Sequence, residues 1–126
     1  MLTFADGLKC PSWLLSDGTL RMLALTLPAF LPGSPSVYMI EEPENGVHPH
    51  ALEIIIKALT AIPDAQVFVA THSPLVVQQV GVKPLLCFKR DPLNGVHIIH
   101  GESHSALKDW RGNPDLSSIF ASGLLG

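Results

Sequence analysis

Val37-Tyr38-Met39-Ile40-Glu41-Glu42-Pro43-Glu44-Asn45-Gly46-Val47-His48-Pro49 is the stretch on which the fold turns. Four apolar residues in succession predict a short strand buried on both faces, the pattern of a parallel sheet. Two acids close it. Glu44-Asn45-Gly46-Val47 has turn chemistry, and Pro49 suits the first position of a helix, where a missing amide hydrogen is no loss. Leu52, Ile55, Ile56 and Leu59 then recur at helical spacing and give that helix one apolar face.

Working outward, residues 66–71 (QVFVAT) predict a second buried strand, followed by His72-Ser73-Pro74 and a short helix to Val80. Residues 85–89 and 96–100 predict a hairpin around Asp91-Pro92-Leu93-Asn94-Gly95. Upstream, Ser16-Asp17-Gly18-Thr19 can cap a helix whose apolar stripe, residues 20–31, is expected to be core; Pro28 should end it. Pro32-Gly33-Ser34-Pro35 reads as a loop, and a mildly helical stretch begins at Pro114. Helix and strand in alternation predict an α/β fold with a mostly parallel sheet flanked by helices. Ligands on such sheets gather at the carboxyl ends of the strands, where Glu41, Glu42 and His72 all fall.

The 126 residues suit a single domain, residues 1–126. Hydrophobic residues make up 47% and charged residues only 15%, against about 25% in a typical soluble domain. That excludes disorder and predicts apolar surface awaiting a cover. With 8 Lys and Arg against 11 Asp and Glu, and no basic block, neither a nucleic-acid groove nor a polybasic membrane patch is encoded. Cys10 and Cys87 are isolated thiols without CxxC spacing, which fits a reducing compartment. No apolar run reaches membrane-spanning length, and residues 1–13 lack the pattern of a secretory leader. A cytoplasmic protein without membrane insertion is expected.

A buried strand that ends in two carboxylates needs partners for them. Successive strand residues face opposite ways, so one acid could hold a metal while the other orients an attacking water, the division that phosphoryl transfer requires. A histidine at the end of the neighbouring strand could sense a terminal phosphate.

LSDGTLR at residues 15–21, VYMIEE at 37–42, ENGVHP at 44–49 and THSP at 71–74 occur in that order. Together they resemble the C-terminal part of an ABC-type ATPase domain, nearest to the soluble AAA-type ATPases of the RecF, SMC and overcoming-lysogenisation-defect group, within the P-loop NTPase superfamily. The resemblance covers residues 14–77, with the tail from Ala106 as a looser likeness. It makes the four runs the signature motif, the Walker B strand, the D-loop and the switch-histidine loop. It implies that Glu41 holds Mg²⁺ through water, where the family more often has Asp, and that Glu42 polarises the attacking water. His72 matches the switch histidine near the γ-phosphate. Ser16 and Gly18 match signature residues that touch the nucleotide of an opposing subunit, at a helix N-terminus that favours anions. Asp17 and Thr19 depart from the transporter form LSGGQ. Arg21 is either a phosphate ligand or a solvated helix residue, and Asn45 and His48 belong to a dimer-facing D-loop.

The chain contains no GxxxxGK[ST] run to cradle phosphates. It therefore resembles a partial P-loop NTPase fold lacking the phosphate-loop strand. The implied function is ATP binding and hydrolysis as half of a site, with Mg²⁺ and a phosphate loop supplied in cis or in trans. Soluble relatives couple such hydrolysis to DNA repair, phage defence or nuclease partners, so contact with DNA would be indirect. Alone, the chain should bind ATP weakly and hydrolyse it negligibly. Without the phosphate-loop strand, the 66–71 strand keeps an open apolar edge, which predicts self-association or a partner chain carrying the loop.

Two other classes compete: a non-catalytic interaction module of the same fold, and the nucleotide-binding subunit of a transporter, which EPENGVHP in place of EPTSALD disfavours. His48, His50, His97, His100 and His104 read better as surface or loop histidines than as metal ligands. Ser16 or Ser73 with His72 lacks the GxSxG elbow of a hydrolase. Trp13 and Trp110 read as packing residues, with Trp110 and Arg111 also a possible contact point for a partner.

Overall fold

The computed structural model describes residues 1–31, 36–93, 95–108, 110, 112 and 115–125. The predicted loop at 32–35, the turn residue Asn94, Arg111 and Pro114 lie outside them. The chain divides into two compact units, Met1–Thr71 and His72–Gly126.

The first unit opens with a small antiparallel pair, β1 (Leu2–Thr3) and β2 (Lys9–Cys10). A 3-10 turn at Ser12–Leu14 leads into α1 (Asp17–Thr26). Ser16 caps α1, its Oγ accepting from the Thr19 amide at 3.2 Å, and Pro28 diverts the chain into a 3-10 turn at Leu27–Phe30. β3 (Ser36–Glu41) is followed by α2 (Pro49–Thr60), with Pro49 in its first turn as its chemistry dictates. β4 (Ala65–Ala70) then pairs with β3 in parallel, from Ser36 opposite Ala65 to Glu41 opposite Ala70. The α2 stripe of Leu52, Ile55, Ile56 and Leu59 is buried, and α1 packs on α2.

Three expectations of burial are overturned in this unit. Along β3 and β4 burial alternates, so Val37, Met39, Gln66 and Phe68 share an open face, with Met39 84% exposed. The apolar run is a strand, but among the described residues one of its faces is left exposed. None of α1 is buried either: Leu20 and Leu23 are exposed, and beyond it Leu27 is exposed and Phe30 is 80% exposed. Helical spacing dictates an apolar stripe; whether the chain covers it depends on what packs there. Trp13, expected to pack, is likewise exposed.

The second unit contains α3 (Pro74–Val80), the antiparallel hairpin of β5 (Leu86–Asp91) and β6 (Gly95–His100), a 3-10 turn at Gly101–Ser103, and α4 (Leu116–Ala121). Val77, Cys87, Leu107, Leu116, Ile119 and Leu125 form its core. Burial pushes the Cys87 thiol pKa upward, keeping it protonated and unreactive. His104, read as a surface or loop histidine, is a buried loop residue, its Nδ1 accepting from the Ala106 amide at 3.2 Å. The architecture is α/β, small sheets with helices, compatible with a P-loop-like fold.

Candidate functional site

The carboxyl end of β3 lies where the sequence places it, but its two acids are not divided by strand alternation. Glu41 ends β3 on the open face. Glu42 leaves the strand with φ 45°, in the left-handed region that non-glycine residues seldom occupy. Its backbone is held from both sides: its amide donates to Ala70 O at 2.8 Å, and its carbonyl accepts from the Asn45 amide at 3.1 Å. Its carboxylate accepts from Asn45 Nδ2.

Three residues at the start of α1 meet this turn or the helix cap. Ser16 Oγ serves the cap, shared with Thr19 Oγ1 at 2.9 Å. A Cβ on Gly18 would stand 2.6 Å from Gly46 O, so glycine lets α1 approach the turn backbone to backbone. Arg21 Nη2 donates to Glu42 O at 2.8 Å, bringing a cation to a turn that carries Glu41, Glu42 and Glu44. Gly18, Arg21, Glu42 and Asn45 are therefore gathered within one unit.

Glu44 and Thr71 fall within the motifs read from sequence but were given no role there. Thr71 Oγ1 donates to Glu44 Oε1 at 2.7 Å, tying the turn after β3 to the end of β4. Parallel pairing was the available signal, since it sets Ala70, the residue before Thr71, beside Glu41 at the start of the turn. His48 caps α2 by accepting from the His50 amide, its ring stacked on His50 at 5.5 Å between centroids. His72 is exposed and opens the second unit, ahead of Ser73 and Pro74 at the start of α3.

Lys57 donates to Glu53 one turn away on the solvent side of α2 and lowers the Glu53 carboxyl pKa. Among the described residues, no three His, Cys, Asp or Glu side chains gather as a metal site. The second unit has a shallow cavity of about 390 Å³ lined by Val82, Lys83, Glu102, Leu107, Lys108 and Trp110. No helix among the described residues is long and apolar enough to cross a membrane.

A protein family described as "AAA domain, putative AbiEii toxin, Type IV TA system" matches residues 2–78. The chain belongs to this AAA-domain family. The match spans the strand end, its turn and α1, and it makes the AAA chain a nucleotide-binding type of protein related to P-loop NTPases. No curated protein and no solved structure matches it.

Proposed function

We propose that the chain is the signature and Walker B part of an ABC-type ATPase site, with residues 1–126 as the C-terminal portion of that ATPase domain. Glu42 polarises the attacking water, and His72 faces the γ-phosphate. Ser16 and Gly18 meet the nucleotide of an opposing subunit, while Asn45 and His48 lie in the dimer-facing turn. The observation that carries this reading is the conformation of Glu42. A non-glycine residue at φ 45°, fixed through its amide, its carbonyl and its carboxylate, marks a position that the surrounding structure over-determines, and such positions cluster at functional sites.

Proteins of this family generally bind ATP with Mg²⁺. Mg²⁺ keeps several waters and takes one or two carboxylates beside substrate phosphates, and the exposed Glu41 carboxylate suits one such place. When bound, the ion would neutralise charge developing on the transferred phosphoryl group. The type IV toxin–antitoxin wording of the family description favours phage defence over DNA repair as the coupled process.

A phosphate loop is absent from these 126 residues, so in this reading it comes from elsewhere, in cis or in trans. The open face of Val37, Met39 and Phe68 supports a partner chain or a second copy, and equally the non-catalytic interaction module that competes with the ATPase reading.

Calorimetry with Mg²⁺-ATP and a phosphate-release assay test the proposal on the chain and on Glu42→Gln. Weak binding and negligible turnover are expected alone, with turnover restored by a polypeptide bearing GxxxxGK[ST] and abolished again by Glu42→Gln. Turnover by the chain alone would refute the need for a separate loop. Restored turnover that survives Glu42→Gln would refute the role of that glutamate.

A further inference from the structure

We propose that Arg21 is a positioning residue for Glu42, acting through the main chain and not through phosphate. The inference rests on the reading of Glu42 as the water-polarising group. Arg21 stands three residues after Gly18, so the two lie on one side of α1. Gly18 allows that side to come against the carbonyl of Gly46. At that approach the Arg21 guanidinium reaches the Glu42 carbonyl, 2.8 Å away and 21 positions along the chain.

The Glu42 carbonyl thus accepts from two donors, Arg21 Nη2 and the Asn45 amide. The charged donor makes the stronger of the two bonds. Both fix the peptide that follows Glu42, and with it the left-handed conformation at φ 45°. That conformation in turn sets the Glu42 carboxylate where Asn45 Nδ2 donates to it. Without Arg21, the peptide is held by neutral hydrogen bonds, and the ordinary extended backbone competes.

The test uses the nucleotide-free chain. Amide hydrogen exchange and the Cα and Cβ chemical shifts of Glu42 are measured by NMR in the wild type, Arg21→Ala, Arg21→Lys and Arg21→Gln. In Arg21→Ala, exchange at the Glu42 and Asn45 amides should rise about 10- to 100-fold, the range expected for loss of a charge-assisted hydrogen bond. The Glu42 shifts should move out of the left-handed range, while the Leu52 and Ile55 amides in α2 keep wild-type protection. Arg21→Lys, which keeps a cationic donor, should recover part of the effect, and Arg21→Gln less. The Lys and Gln variants carry the comparison if the Ala variant does not fold. Wild-type exchange and shifts at residues 42 and 45 in the folded variants would overturn the proposal. So would a loss of protection shared equally by α2, which would mean a general stabilising role. No nucleotide enters this measurement, so it can fail while the ATPase reading stands. The turnover assay can fail whatever the exchange shows.

Discussion

Replacing Gly18 by alanine sets two effects of opposite sign against each other. Alanine is the better helix former by about 0.8–1 kcal/mol in a helix interior, and Gly18 lies within α1 (Asp17–Thr26), so propensity alone predicts a more stable protein. The tertiary structure predicts the reverse. The new Cβ would stand 2.6 Å from Gly46 O, where ordinary contact starts at 3.4 Å, and the obstacle is backbone, not the end of a flexible side chain. Either α1 or the turn must shift by most of an ångström. Forcing a methyl group into a closed contact costs about 1–3 kcal/mol. The propensity gain shrinks in the first turn, so overlap wins and the net loss is on the order of 1–2 kcal/mol. For a chain of this size each kcal/mol lowers the thermal midpoint by roughly 3–6 °C. Unfolding followed by far-ultraviolet circular dichroism reads this directly. A variant as stable as the parent, or more so, would show that α1 does not sit against Gly46 and would remove the basis for placing Arg21 at Glu42.

Other consequences concern the two units separately. Ile55 is 0% exposed and its neighbour Ile54 is 56% exposed, so Ile55→Ala should cost about 2–5 kcal/mol and Ile54→Ala less than about 1 in urea unfolding; equal losses would mean that the buried face of α2 is misassigned. Asp115 caps α4, and hydrogen bonds from the Ser117 hydroxyl, then the Ser118 amide, lower its carboxyl pKa. A group lowered on folding stabilises the native state above its unfolded pKa and loses that contribution as pH falls through its folded value. Protection of the α4 amides should therefore fall under acid, and Asp115→Asn should flatten that pH dependence; an unchanged profile would refute the cap.

Much of the local structure was legible because its causes are local. Pro49 starts α2, and the 52, 55, 56, 59 spacing decides which side is buried. Pro74 and Val80 bound α3 as read, and the hairpin announced itself through its turn residues. The order of the four motifs led to the AAA family, whose match over residues 2–78 covers them. Burial was less legible, because the apolar runs of β3 and α1 say what a residue prefers and not whether a covering layer is there.

The sequence by itself determined the elements and the residue types at the end of β3, since period, proline and turn chemistry act over a few positions. Only the tertiary structure decided what those residues do to one another. Arg21 and Glu42 are 21 positions apart and Thr71 and Glu44 are 27 apart, distances over which no local pattern operates. Their contacts exist because β3 and β4 pair in parallel and because Gly18, lacking a side chain, lets α1 come within reach of the turn.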